Sequence, residues 1–246
     1  MELENKKIWR GARSKGLVLR LTDSIFPRYC IRCGEEGQLL CDKCNVNWHP
    51  GRIPAKCVVC GKESIFGETC ARCTEDNTPD GHLTTFAYAD PVARALIGNW
   101  KYHYDETAWN LLRTRIGVEL NQVRQCLDTF GIQSVLAIPL HRRRVCERGF
   151  DQSKLCAEFI ATTLGKEKAD ILERVRGTGK QAHRSDKERE EEMKDSPFQI
   201  LSGMYVPKKI LLVDDVWTTG STARAAIRTL RCAGAEVIWV YTIARG

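Results

Sequence analysis

The chain has 246 residues, of which 43% are hydrophobic and 28% charged, an ordinary globular composition with length enough for a full core and a smaller second domain. No apolar stretch approaches the ~20 residues needed to span a bilayer, and the first residues lack the basic, apolar and small-residue order of a signal peptide, so a cytoplasmic protein without a transmembrane segment is expected. The formal charge of +7 is weak ground for nucleic-acid binding, because eight zinc-bound thiolates with two Zn²⁺ ions would bring it to about +3.

Residues 1–26 carry Ile8, Trp9, Leu17, Leu21 and Ile25 at roughly helical spacing with basic residues between them. An amphipathic helix packing on the rest of the protein is expected; a membrane-surface helix is the alternative. Eight of the twelve cysteines then fall between Cys30 and Cys73, as Cys30-x₂-Cys33, Cys41-x₂-Cys44, Cys57-x₂-Cys60 and Cys70-x₂-Cys73. Each pair offers two thiolates from one tight turn, and two turns complete a tetrahedral four-cysteine site. Gly34 and Gly61 follow Cys33 and Cys60 directly, an echo that suggests an internal duplication of two zinc ribbons over 27–76. The simplest pairing is Cys30/Cys33/Cys41/Cys44 with Cys57/Cys60/Cys70/Cys73, and spacing leaves an interleaved one open. Two structural Zn²⁺ ions are expected, with iron–sulfur as the rival for four-thiolate sites. His49 lies between the ribbons and reads as a solvated loop residue rather than a ligand.

The polar segment 74–81, with Pro79 and Gly81, reads as a linker to an α/β domain over 82–246. There Leu83–Ala89 reads as a strand, Pro91 opens a helix toward Tyr102, and Thr107–Leu127 is a second helix. Val135–Leu140 is a short apolar strand, Gln152–Leu164 a helix stopped by Gly165, and Ile171–Val175 and Phe198–Leu201 are weaker strands. Ile210–Val213, the helix Thr222–Cys232 and Val237–Ile243 complete the pattern. Strands with continuous apolar runs alternating with helices indicate a mostly parallel sheet covered on both faces.

After Val135–Leu140 come His141, Arg142, Arg143 and Arg144, then Glu147-Arg148-Gly149-Phe150-Asp151-Gln152-Ser153. A basic loop at a strand's C-terminal end faces the ligand crevice of an open α/β sheet, and guanidinium groups suit a pyrophosphate. A patch for nucleic-acid phosphates is the alternative. Lys101 is a further candidate for pyrophosphate contact, balanced against a solvated surface lysine. The charged stretch from Arg174 to Asp195 reads as a lid.

The most informative stretch is Ile210-Leu211-Leu212-Val213-Asp214-Asp215-Val216-Trp217-Thr218-Thr219-Gly220-Ser221-Thr222. A buried strand delivers two carboxylates, and a hydroxyl- and glycine-rich turn then opens a helix, where backbone N–H groups and the helix dipole make a phosphate site. Carboxylates so close to a phosphate suit a neighbouring polyol or Mg²⁺. Phosphate plus diol on one loop describes a phosphorylated ribose.

This pattern resembles the phosphoribosyl-pyrophosphate (PRPP) motif of type I phosphoribosyltransferases. The resemblance implies that Asp214 and Asp215 hold the ribose hydroxyls, that Thr218, Thr219, Gly220, Ser221 and Thr222 cradle the 5′-phosphate, and that Mg²⁺ accompanies PRPP. It also implies that the Arg174–Asp195 stretch is a hood that closes over the substrate. The blocks Ile138-Pro-Leu-His-Arg-Arg-Arg and Glu147-Arg-Gly-Phe-Asp-Gln-Ser, with Asn99-Trp-Lys-Tyr, Gln181 and the Ser185-to-Arg189 run, resemble the ComF family, as does the order of double zinc ribbon and phosphoribosyltransferase-like domain. This chain has Asp151 where that family usually has Asn, and Glu191-Glu192-Met193 where it usually has an Asn-rich turn.

Two functions follow. The ComF resemblance implies a role in DNA uptake and natural transformation, handling single-stranded DNA alongside a helicase-like ATPase. Single-strand binders pair basic grooves with stacking aromatics, and Trp48, Trp100, Tyr102, Tyr104 and Trp217 are available. The alternative is an active phosphoribosyltransferase that releases pyrophosphate from PRPP, with Asp214 and Asp215 as its catalytic pair.

Overall fold

The computed structural model describes residues 27–51, 53–175 and 196–246. The helix expected within 1–26 and nearly all of the expected hood, with Gln181, Ser185–Arg189 and Glu191–Met193, lie outside the described residues. Compact units divide between His49 and Pro50. The first cysteine group belongs to one unit, and the second shares a unit with the α/β part.

In the first unit, the turn after Cys30 is closed by Gly34 N–H on the Cys30 carbonyl at 2.8 Å and by a bridge between Tyr29 and Glu36. Helix α1, Asp42–Val46, follows Cys41 and carries Cys44, while Leu39, Leu40 and Trp48 make a small buried core. The second ribbon repeats this turn. Gly61 N–H reaches the Cys57 carbonyl at 3.0 Å and Lys56 bridges Glu63, at the same offsets from the leading cysteine. A 3₁₀ turn, Ala71–Cys73, presents the last pair. The segment read as a linker is folded: Thr78 is buried and closes a turn with Glu75, and Thr69 N–H donates to the Asp80 carbonyl at 2.8 Å.

The α/β part runs β1 (Gly81–Ala87), α2 (Pro91–His103), α3 (Glu106–Thr129), β2 (Ser134–Ala137), α4 (Arg142–Arg148), α5 (Gln152–Leu164) and β3 (Glu167–Lys168). It continues with β4 (Leu172–Arg174), β5 (Phe198–Ile200), β6 (Lys209–Trp217), α6 (Ser221–Cys232) and β7 (Val237–Arg245). Five strands form a parallel sheet in the order β1-β7-β6-β2-β3. Two expectations are corrected. The weak strands β4 and β5 pair antiparallel in a sheet of their own, and the arginines after β2 sit on a helix rather than a loop. The strand carrying the two acids is also longer than its apolar run, because β7 goes on pairing with it through Asp214, Val216 and Trp217.

Side chains alternate across the sheet. Leu136, Ile210, Leu212, Ile238 and Val240 share one core with Ala223, Ala226, Ile227 and Leu230 of α6, with Phe198, and with Val58 of the second ribbon. That ribbon is therefore part of the domain's own packing. Connections from β2 lead toward β3 and those from β6 lead to β7 on the other side, so the β2–β6 boundary is a topological switch point, where open α/β sheets bind ligands beyond their strand ends.

The ribbon also meets β1 through backbone. His82 N–H donates to the Gly67 carbonyl at 2.9 Å, and Glu68 bridges Gly81 antiparallel. Gly67 has φ +88°, and a Cβ there would lie 2.5 Å from the His82 carbonyl oxygen. Gly67→Ala should therefore destabilise the second unit by about 2 kcal/mol or more, read as a lowered unfolding midpoint, with faster amide exchange along β1.

Candidate functional site

The apolar run Ile210–Val213 is fully buried, which fixes β6 as a central strand and brings Asp214 and Asp215 to its C-terminal end. Both are partly buried and both are compensated. Asp214 Oδ1 accepts the Asp215 N–H at 2.8 Å and the Ser153 hydroxyl at 3.3 Å, and Lys101 Nζ lies 2.8 Å from Asp215 Oδ2. Burial and the Asp215 charge raise Asp214 from its usual carboxyl range to about 7, against the Asp215 amide, Lys101 and Ser153.

Lys101 and Ser153 come from separate helices joined by Gln152. Gln152 is fully buried, and its Nε2 donates to the Lys101 carbonyl at 3.1 Å, filling one of the acceptors that a helix leaves open in its last turn. Its Oε1 accepts Arg148 at 3.1 Å. Tyr104 ends α2 in the left-handed region at φ 49°, with its ring edge-on to Phe150 at 4.4 Å. Asp151 caps α5 through Lys154 N–H and accepts Leu140 N–H on its other oxygen at 3.1 Å. A carboxylate meets both donors, tying the chain leaving β2 to the start of α5.

The turn after β6 is built as its residue types suggested. Thr218, Thr219 and Ser221 are exposed, Thr222 is half-buried, and Gly220 caps α6 at φ 74°. Thr219 Oγ1 donates to Ser221 Oγ at 3.2 Å and accepts the Ser221 N–H at 3.4 Å. A side chain at Gly220 would enter the ring of Trp217, which is buried against His82 with ring centroids 4.8 Å apart. Burial and nearby Arg245 hold His82 neutral, down at about 3.

The basic residues divide. Lys101 is engaged with Asp215 rather than free for a pyrophosphate. His141 caps α4, its Nδ1 accepting Arg143 N–H at 3.3 Å. Arg142 is exposed, 3.9 Å from Glu173; Arg143 pairs with Glu147 at 2.8 Å; Arg148 lies over the Tyr102 ring at 5.3 Å. Arg144 acts electrostatically on Arg174 of β4, which also senses Asp214; burial, then Arg144, lowers Arg174. Arg174, Gln152 and Ser153 join the site without having been singled out as ligand groups. For Gln152 and Ser153 the sequence signal is the Asp-Gln-Ser block opening a helix just after the basic run, and Arg174 opens the charged stretch read as a lid.

The cysteines pair sequentially. The sulfurs of Cys30, Cys33, Cys41 and Cys44 lie within 4.8 Å of one another, as do those of Cys57, Cys60, Cys70 and Cys73, and His49 is in neither group. The Cys33–Cys41 and Cys60–Cys70 sulfurs are 3.7 Å apart, close to the edge of about 3.8 Å of a tetrahedron with Zn–S bonds of ~2.3 Å. Burial opposes ionisation of Cys30, but N–H groups of Cys41, Cys33 and Arg32 bring it down to about 6; Cys57 is likewise down to about 6. Burial and the neighbouring thiols push Cys44 up to about 12, and the neighbouring thiols with burial do the same to Cys73. Four sulfurs held this close together need a cation to be thiolates at once. The donor set fits structural zinc.

Residues 21–79 match the double zinc ribbon domain and residues 156–246 the phosphoribosyl transferase domain. The chain is 27% identical to competence protein ComFC of Streptococcus pneumoniae, over 93% of this chain and 91% of that protein. It is 28% identical to competence protein F of Haemophilus influenzae, over 77% and 84%, and 26% identical to the DNA utilization protein YhgH of Escherichia coli, over 88% of each. A solved structure of the allosteric regulatory enzyme of purine biosynthesis is similar over 49% of this chain and 25% of that one, at 20% identity and a TM-score of 0.33. Among the described residues no helix is long and apolar enough to cross a membrane. The two domains in this order, with these relatives along most of the chain, support a ComF-family protein.

Metal analysis of reduced protein is expected to give about two zinc ions per chain and no iron. Asp214→Asn keeps the oxygen that Ser153 and the Asp215 amide use while removing a charge that burial penalises. Because the folded-state value of about 7 lies above the usual 3.8, the penalty is absent below the usual value and grows as pH rises toward 7. The variant should melt higher than the parent by a few degrees at pH 8, with the difference shrinking toward pH 5.

Proposed function

We propose that this chain serves DNA uptake and natural transformation through a pocket that binds a phosphorylated ribose of the PRPP type. One observation carries the reading: two compensated carboxylates at the end of β6, at the switch point, directly before a hydroxyl-lined turn whose glycine opens α6. The carboxylates accept the 2′- and 3′-hydroxyls of the ribose, and the 218–222 turn takes its 5′-phosphate with N–H and O–H donors. Arg144 and Arg174 add positive charge on the β2 side for a second anionic group. Names of relatives that refer to competence and DNA utilization support the cellular role.

Single-stranded DNA is proposed as the macromolecular ligand. The exposed faces of Arg142, Arg143 and Arg144 lie on α4, and half-buried Arg148 on the same helix stacks over exposed Tyr102. This supplies both the charge and the stacking that a single strand requires. A helicase-like ATPase is the proposed partner in uptake, and the two ribbons offer rigid surfaces for docking it. The enzymatic alternative uses the same pocket. Asp214 and Asp215 would orient PRPP while a nucleophile displaces pyrophosphate at C1, with Mg²⁺ carried on the pyrophosphate.

Ribose-5-phosphate should raise the melting temperature, because a ligand that binds only the folded state stabilises it by mass action. Asp214→Asn with Asp215→Asn should abolish that shift. Equal stabilisation by inorganic phosphate would overturn the ribose reading. Oligonucleotide binding should weaken steeply with salt, and replacing Arg142, Arg143 and Arg144 by Ala should flatten the slope by about one unit for each DNA phosphate no longer neutralised. Pyrophosphate release from PRPP with a nucleobase panel would establish the enzymatic alternative.

A further inference from the structure

A diacid that receives a sugar diol raises the question of what balances its charge. In this chain the balancing group is already covalently present. Lys101 Nζ stands 2.8 Å from Asp215 Oδ2, with the lysine side chain 14% and the aspartate side chain 15% exposed. The pairing joins residues 114 positions apart in sequence, and its geometry is braced from both sides. The buried amide of Gln152 holds the Lys101 carbonyl at 3.1 Å, and the next residue, Ser153, donates its hydroxyl to Asp214 at 3.3 Å. The first two residues of α5 thus fix the lysine with one side chain and the other carboxylate with the next. Lys101 is thus committed to the carboxylate pair.

We propose that Lys101 is the resident cation of the Asp214–Asp215 pair: a positioning residue that holds Asp215 aimed at the ligand, and that excludes a divalent ion from the protein side of the pocket. The inference rests on reading this pocket as a phosphoribosyl site. Charge and donor count both support it. Two adjacent carboxylates with no cation would attract a hard divalent ion such as Mg²⁺, which takes oxygen ligands. An ammonium within hydrogen-bond distance supplies one positive charge and directional donors without needing six ligands. A low-dielectric setting makes that pairing stronger than at a surface, and leaves a large deficit if the lysine is removed. The carboxylate oxygens not used by Lys101, Ser153 and the Asp215 amide remain for sugar hydroxyls. On this account any Mg²⁺ in the complex belongs to the ligand's own phosphates.

The test uses the full chain without ligand first. Thermal unfolding is measured with and without millimolar MgCl₂ at matched ionic strength, for the parent, Lys101→Met and Lys101→Met with Asp215→Asn. The parent should show no Mg²⁺-dependent change. Lys101→Met should melt lower and regain several degrees with Mg²⁺, and the double variant should lose that gain. Lys101→Gln provides the same comparison if the methionine variant fails to fold, and Lys101→Arg should behave as the parent. A parent already stabilised by Mg²⁺ in an Asp215-dependent way overturns the proposal, and so does a Lys101 variant that gains nothing. A second arm follows ribose-5-phosphate by calorimetry in Mg²⁺-free buffer. The parent should bind equally with and without Mg²⁺, and Lys101→Met should bind at least tenfold more weakly without it. Absence of ribose-5-phosphate binding by the parent in either buffer, with the Mg²⁺ arm as expected, would refute the phosphoribosyl reading and leave the role of Lys101 standing.

Discussion

The architecture turns on keeping two adjacent carboxylates at the end of a buried strand. Ile210–Val213 gain their stability by leaving water, and the sheet register they fix carries Asp214 and Asp215 into a setting that penalises charge. Three neighbouring groups answer that penalty. The end of α2 supplies an ammonium, the start of α5 a hydroxyl, and β6 itself an amide. The α2 end is held by Gln152 and by a left-handed Tyr104, a conformation that a bulky residue adopts only when its surroundings insist.

The second ribbon belongs to this arrangement as much as any helix does. Val58 packs in the same core as α6, and Gly67 meets His82 through backbone. His82 in turn lies against Trp217, whose ring fills the space under Gly220. Packing therefore runs continuously from the second cysteine tetrad to the phosphate-type turn. The first ribbon is built on the same turn but forms a unit with its own small core of Leu39, Leu40 and Trp48. Duplicated sequence has been put to two different structural uses.

Much of this was readable from local pattern. The α5 helix runs from Gln152 to Leu164, as its capping Asp151 and closing Gly165 indicate, and the cysteine pairs combine in chain order. The glycine-rich turn after β6 is where the hydroxyl run placed it. What escaped depends on distant partners. Helix α4 buries no residue, so no apolar period marks it. Strands β4 and β5 have three residues each, too few to reveal a separate sheet. The length of β6 is set by β7, and the role of Lys101 by a carboxylate 114 residues away. The linker reading of 74–81 rests on Pro79 and Gly81, and Thr78 folds that polar segment into a buried turn.

The junction of the ribbon with β1 has a further consequence, for solubility. In the sheet order β1 is an edge strand, with β7 on one side. An uncovered edge offers unpaired N–H and C=O groups to any other chain with a strand to add. Here the other side of β1 at its start is taken by Gly67 and Glu68, the residues just before the Cys70–Cys73 pair. Whatever holds the four thiolates of the second tetrad together also keeps a sheet edge covered. Loosening that tetrad would open a template for strand exchange between molecules.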